Sequence, residues 1–372
     1  MAEFKLPPIS TLAGTTLQNY FKVIKGNKIS SKFYFKHAIT QLIILIATPF
    51  HIYENLKYKS KIQNFEFQRP PIFVLGHWRS GTTHLHNLLC QATDAAYITT
   101  YNSLFPNNLG SKAVFKNFMK WNMPEKRPSD NVRLNIDFPQ EDEFAIGNLC
   151  PHSYYNFFYF PNSYREFYRD FIRFENVDPT ILENWKRNYK KLLIKAKINT
   201  GGRNLIVKNP VNTGRYDKIM EIFPEAKFIH IYRNPYIVYL STKKFFMELL
   251  PTLWFQEVGE EFVEKVVIEI YEKVYQDYFE KIALFNENNF YEVSFEEFEE
   301  DPLTYIHEMY QKLDLGNYAD QEKVFLKYLS QNKGYKKNKY NITRRELNLI
   351  NENWSTYIQK WNYSIPKEIV VN

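Results

Sequence analysis

The stretch that decides the fold is Ile72-Phe73-Val74-Leu75-Gly76-His77-Trp78-Arg79-Ser80-Gly81-Thr82-Thr83-His84-Leu85-His86-Asn87-Leu88-Leu89. Its first four residues are uninterruptedly apolar and follow Pro70-Pro71, the pattern of a strand buried on both faces of a parallel sheet. Gly76 to Gly81 is a polar turn. From Thr82 the period changes: Leu85, Leu88 and Leu89 recur at i, i+3 and i+4, the apolar stripe of a helix. The unit is therefore strand, glycine-bounded loop, helix.

The loop has the spacing G-x-x-x-x-G, which suits an oxyanion. The helix N-terminus offers unpaired N–H groups and a favourable dipole. Gly76 and Gly81 let the backbone approach the anion. Ser80, Thr82 and Thr83 add hydroxyl donors, and Arg79 adds a fixed positive charge. A nucleoside triphosphatase would place Lys after the second Gly and a magnesium-binding hydroxyl after that. Here Thr82 stands in the Lys position. A later strand also ends in Arg233 where a magnesium-binding Asp would be expected, which disfavours a metal-dependent kinase-like phosphotransferase.

Outward from this unit the same alternation continues. Leu205-Ile206-Val207 precedes Lys208-Asn209-Pro210 and a helix with Tyr216, Ile219, Met220 and Phe223 on one face. Phe228 to Tyr232 is the next strand, followed by Arg233 and by Asn234-Pro235, a cap and first-turn pair. Phe290 to Val293 is the fourth, ahead of a helix opened by Asp301-Pro302. This order predicts an α/β fold with a central parallel sheet and helices on both faces. Residues 1–68 read as a helical lead-in and 69–372 as one domain. Within that domain, residues from about 95 to 203 form a largely helical insertion with the aromatic run Tyr154 to Phe160. Ligands bind beyond the carboxyl ends of parallel strands, so the insertion would be well placed to form one side of a site.

Two motifs together carry a family resemblance. Gly76 to Thr83 resembles the 5′-phosphosulfate loop of sulfotransferases that use 3′-phosphoadenosine-5′-phosphosulfate (PAPS). Ile231-Tyr232-Arg233-Asn234-Pro235 with Ser241 resembles their 3′-phosphate motif, in which an Arg and a Ser stand eight positions apart. Lys208-Asn209-Pro210 and Pro139-Gln140-Glu141-Asp142-Glu143 are similar to segments of a bacterial-type branch, and Asn338-Lys339-Tyr340 to a segment that often reads His-Lys-Tyr. The resemblance extends over about residues 70 to 362. It implies a P-loop-like sulfotransferase fold and PAPS as co-substrate; a sulfuryl group carries one fewer negative charge than a phosphoryl group and the chain shows no metal motif, so no metal is expected. It also implies nucleotide contacts from Arg79, Ser80, Gly81, Thr82, Thr83, Arg233 and Ser241. Lys336, Lys337 and Lys339 would belong to a basic loop closing over the nucleotide, or else form a solvated charge run.

In-line sulfuryl transfer rests on positioning and electrostatics. Arg79 is expected to stabilise the leaving 5′-phosphate, with Lys208 a second cation. A general base is needed. Glu141 is the first candidate, on a helix that begins at Pro139 and shares a face with Phe144, Ala145 and Asn148. Glu143 is the second; an acidic first turn complementing the helix dipole is the alternative for both. Family members often place a His where this chain has Asn212, which shifts weight to the carboxylate and leaves His77 as the best remaining histidine. His84 and His86 flank the leucine stripe and read as packing or pocket lining.

The bulk numbers set bounds. The net charge of +7 over 372 residues suits an anionic ligand or surface. The 28 Tyr and 31 Phe predict a ring-rich core, or a large apolar acceptor pocket. Two cysteines, Cys90 and Cys150, make no disulfide framework and point to a reducing, cytoplasmic setting. The start of the chain lacks a signal-peptide pattern. Ala38 to Phe50 is the most apolar stretch, short of the roughly 20 residues that span a bilayer. It reads as a core helix, or as a helix lying on the inner membrane face. The preferred acceptor is a hydrophobic alcohol such as a sterol or lipid, with a carbohydrate as the alternative. A non-enzymatic nucleotide-binding protein at a membrane surface is the rival that the Arg79, Arg233 and Ser241 set argues against. No feature points to nucleic acid, and no motif addresses oligomeric state.

Overall fold

The apolar run Ile72–Leu75 is a strand with all four side chains buried, as a strand covered on both faces must be. The computed structural model describes residues 9–123, 135–332, 340–367 and 369–372. Five strands, β1 (Ile72–Leu75), β2 (Ala95–Tyr97), β3 (Asn204–Lys208), β4 (Lys227–Tyr232) and β5 (Phe290–Ser294), form one sheet in the order β2-β3-β1-β4-β5. β1, β4 and β5 run parallel, with Val74 opposite Ile229 and Ile229 opposite Tyr291. The four strands expected from the apolar runs are present. β2, at three residues, is too short to leave a periodic signal.

The chain divides into two compact units. One comprises Pro71–Ala95, Lys208–Met247 and Gly259–Asn372, and so holds β1, β4 and β5. Its Glu260–Glu280 helix buries a row of rings and β-branched residues. Trp354, on the Arg344–Lys360 helix, stacks on Tyr271 with centroids 3.8 Å apart, and its indole N–H donates to the Ile268 carbonyl at 3.2 Å. A buried Trp with its N–H satisfied combines a large apolar area with no polar penalty.

The other unit comprises Met1–Pro70, Ala96–Val207 and Glu248–Val258. The insertion expected over about 95 to 203 is largely helical, and its longest helix, Pro179–Thr200, has local causes. Asp178 caps it by accepting from the Thr180 N–H, Pro179 opens it, and Gly201 ends it at φ +81°. All seven residues from Tyr154 to Phe160 are buried, so that aromatic run is core.

Two sequence expectations change here. The apolar stretch 38–50 is the middle of a 30-residue helix, Tyr34–Gln63. The helix expected from Pro139 begins only at Glu143. Pro139 bridges Thr99 in antiparallel fashion and the Gln140 N–H donates to the Ile98 carbonyl at 2.8 Å, so this backbone is committed to extended pairing.

Candidate active site

The loop after β1 is shaped by what its glycines avoid. Gly76 has φ +136°, and a Cβ there would lie 2.3 Å from the Ile231 carbonyl oxygen. Gly81 has φ +92°, and a Cβ there would lie 2.1 Å from Cδ2 of Phe295. Between them Arg79 takes φ 67°, a left-handed conformation that a non-glycine residue adopts only where its surroundings hold it. The Gly76 N–H donates to Thr213 Oγ1 at 2.7 Å, and the Ser80 N–H to the His77 carbonyl at 3.2 Å. The Thr82–Leu89 helix follows, and its first N–H groups have no acceptor within the helix.

This curl directs Arg79 toward the start of the Pro235–Leu253 helix. Its Nε donates to Ser241 Oγ at 2.9 Å, and its guanidinium lies 5.5 Å from the Phe245 ring centroid. Arg233 leaves the end of β4 and donates from Nη1 to the Arg79 carbonyl at 3.3 Å. The Arg233 guanidinium sits over the Phe295 ring, 4.2 Å from its centroid. Burial, with Arg79 as a further positive neighbour, lowers its pKa. Two guanidinium groups thus share one partly buried corner with a serine hydroxyl. Such a corner favours a multiply charged anion that accepts fork-like hydrogen bonds. Lys208, buried at the end of β3, brings Nζ to 3.3 Å from Thr83 Oγ1.

The carboxylates belong to the other compact unit. Glu141, half-buried and ahead of the helix, accepts from the Tyr155 hydroxyl at 2.5 Å. Asp142 is buried and accepts from Tyr189. Glu143 is fully buried and accepts from Ser153 Oγ at 3.0 Å and from the Tyr154 N–H at 2.7 Å.

Residues 70–320 match the Sulfotransferase family. The chain belongs to that family. Two relatives, both named omega-hydroxy-beta-dihydromenaquinone-9 sulfotransferase Stf3, come from Mycobacterium bovis and Mycobacterium tuberculosis. Each is 30% identical over 312 residues, covering 84% of this chain and 80% of its relative. Crystal structures of sulfotransferase STF9 from Mycobacterium avium and STF1 from Mycobacterium tuberculosis share the fold, with TM-scores of 0.67 and 0.64 at 14% identity. The STF9 match covers 92% of this chain and 89% of that one; the STF1 match covers 83% and 84%.

In this sulfotransferase the residues expected at the nucleotide separate into groups. Arg79 bonds Ser241 through its side chain and Arg233 through its carbonyl, and Thr83 meets Lys208. Ser80 and Gly81 lie on the same loop, and Thr82 opens the helix that follows it. Lys336, Lys337 and Lys339 fall outside the described residues. His77 is buried against Trp78, Tyr271 and Tyr275, its Nδ1 3.0 Å from the Trp78 carbonyl oxygen, and burial pushes its pKa down to about 3. Asn212, which stands in place of the expected histidine, is buried and accepts from Arg215 Nε at 3.0 Å. His86 is buried and His84 lies edge-on to Phe298, which is packing. Sequence reasoning missed Phe245 and Phe295, the rings beside the two guanidinium groups. It also missed Trp361, which stacks on Tyr232 at 4.8 Å. These contacts join residues far apart in the chain, and no local pattern marks them. Among the described residues no group of three or more His, Cys, Asp or Glu side chains is placed to hold a metal ion.

Proposed function

We propose that this sulfotransferase uses PAPS as donor and sulfates the hydroxyl of a hydrophobic alcohol without a metal. The observation that carries the donor assignment is the Arg79–Ser241–Arg233 corner. A 3′-phosphate distinguishes PAPS from ordinary adenine nucleotides, and Arg233 with Ser241 supplies the guanidinium and hydroxyl that such a group would accept from. Arg79 neutralises charge gathering on the leaving 5′-phosphate, and Lys208 faces the sulfuryl oxygens. Ser80, Gly81, Thr82 and Thr83 line the loop around that charge.

The bound donor supplies an activated sulfuryl group: the acceptor oxygen bonds to sulfur as the bond from sulfur to the 5′-phosphate oxygen breaks. Glu141 takes the acceptor's proton. Its half-buried carboxylate, held by the Tyr155 hydroxyl, suits that task better than Glu143, whose carboxylate holds the turn at Ser153 and Tyr154. His77 is left out of the machinery, because an imidazole pushed down to about 3 is a poor proton acceptor at neutral pH. Support for a hydrophobic acceptor comes from the relatives, which are named for a hydroxylated menaquinone. Cys90 and Cys150, both buried and not joined in a disulfide, fit a reducing, cytoplasmic setting.

Calorimetric titration of the full chain with adenosine 3′,5′-bisphosphate in the absence of magnesium, beside ADP and ATP, tests the donor. Binding should require the 3′-phosphate. Arg233→Ala should weaken it about tenfold to a hundredfold, the range of a lost charge-assisted hydrogen bond. No binding, or a preference for magnesium-ATP, would overturn the reading.

A further inference from the structure

The Tyr34–Gln63 helix packs one side on its unit and turns a long apolar side outward. Its inner stripe is Lys36, Thr40, Ile44, Ala47, His51 and Glu54, all buried. On the outer side Phe35, Leu42, Leu45, Ile46, Ile52 and Leu56 are between 53% and 75% exposed. These positions recur at helical spacing, so they form one stripe about 30 Å long. Isolated exposed leucines need no explanation, but a continuous stripe marks an interaction surface.

The charges around the stripe choose the partner. Between Lys25 and Glu66 the only acidic residue is Glu54, which is buried against Lys195 Nζ at 2.7 Å. The exposed charges at the carboxyl end of the helix are Lys57, Lys59 and Lys61. Lys57 Nζ lies 5.3 Å from the Tyr53 ring centroid, and Tyr34 is exposed at the other end. An apolar stripe with tyrosines near its ends and lysines at one flank matches a bilayer interface: acyl chains beneath the stripe, anionic headgroups at the lysines. A second copy of this chain laid on the same stripe would bring lysines with no carboxylate of that stripe to meet them.

The helix is held so that it lies on the surface. Lys36 Nζ donates to the carbonyls of Thr252 and Leu253, each at 2.9 Å. Eighteen residues later Glu54 meets Lys195, and its Oε2 accepts from the Gly110 N–H at 2.6 Å. These two anchors lie about 27 Å apart along the axis, nearly the thickness of a hydrocarbon core. Spanning a bilayer would tear both of them out.

We propose that the outer face of the Tyr34–Gln63 helix docks on an anionic lipid surface, with Leu42, Leu45, Ile46 and Leu56 in the acyl boundary and Lys57, Lys59 and Lys61 at the headgroups. The docking concerns a face remote in sequence from the donor motifs, and its test uses neither nucleotide nor acceptor. Its failure would therefore leave the sulfotransferase reading standing.

Flotation of the full chain with phosphatidylcholine vesicles, with and without phosphatidylglycerol, tests it. The wild type should float with the anionic vesicles, and salt should weaken the binding. Lys57→Gln/Lys59→Gln/Lys61→Gln should lower partitioning on the order of a hundredfold, given the usual contribution of each lysine at an anionic surface. Leu42→Gln/Ile46→Gln should lower it at least about tenfold, the loss of two aliphatic anchors. Both variants should melt like the wild type, since the changed side chains are exposed. Wild-type protein that stays unbound, or variants that float unchanged, would overturn the proposal. So would vesicle-bound protein that resists alkaline carbonate extraction, which marks a spanning helix. A dimer in sedimentation that Leu42→Gln/Ile46→Gln turns to monomer, without vesicle binding, would assign the face to a second copy and equally overturn it.

Discussion

Glu141, Asp142 and Glu143 are consecutive carboxylates with three different neighbours. Glu141 meets the Tyr155 hydroxyl, Asp142 meets Tyr189, and Glu143 is held by Ser153 and the Tyr154 N–H. The family resemblance named Glu141 and Glu143, and the sequence put both on a helix starting at Pro139. The pairing of Pro139 with Thr99 delays that helix to Glu143, so Glu141 is presented by a loop. The two should separate in a variant pair. Glu141→Gln should reduce kcat by about a hundredfold or more, the usual contribution of a general base, with adenosine 3′,5′-bisphosphate affinity unchanged. Glu143→Gln should instead lower stability by about 1–3 kcal/mol, as the Ser153 and Tyr154 donors lose a charged acceptor. Turnover with an activated acceptor and a denaturant melt on each variant check this. A Glu143→Gln enzyme that melts normally but has lost kcat would reverse the assignment.

At the scale of elements, the strand-loop-helix unit was readable because its period changes within a few residues. The reason for its glycines was not. Gly81 faces Phe295, the ring that also lies under the Arg233 guanidinium. Alanine at 81 therefore meets two obstacles, a left-handed φ of +92° and a ring at 2.1 Å. Gly81→Ala should lose about 1–3 kcal/mol from backbone strain alone. Nucleotide affinity should fall with it, because relieving the clash displaces the ring beneath Arg233. Melts and calorimetry on the same preparation check both. Unchanged nucleotide affinity would separate Phe295 from the site.

Across the whole molecule, acid should act through histidines buried without charge. Burial pushes His77 down to about 3 and His152 to about 4. The unfolded chain takes up these protons near pH 6.5, whereas the fold resists them until lower pH. Their contribution to stability is therefore complete above that pH and declines as pH falls toward the folded values. The slope is about 1.4 kcal/mol per pH unit for each such histidine. His77→Phe should flatten the melt-versus-pH curve between about pH 6.5 and pH 4 by one proton's worth. An unaltered slope would mean that this imidazole charges inside the fold.

Local sequence was enough to write the parallel α/β class, the glycine-bounded loop between a buried strand and a helix, and the eight-residue interval from Arg233 to Ser241. Each of these is written locally, as an uninterrupted apolar run, a glycine spacing or an eight-residue interval. Packing in three dimensions was needed for Arg79 to reach Ser241 across 162 positions, for Phe245 and Phe295 to flank the guanidinium groups, and for His77 to be sealed among rings. It also decided that the 38–50 segment belongs to a longer helix with its apolar side outward. Periodicity marks an apolar face, but which neighbour covers that face depends on contacts between residues far apart in the chain.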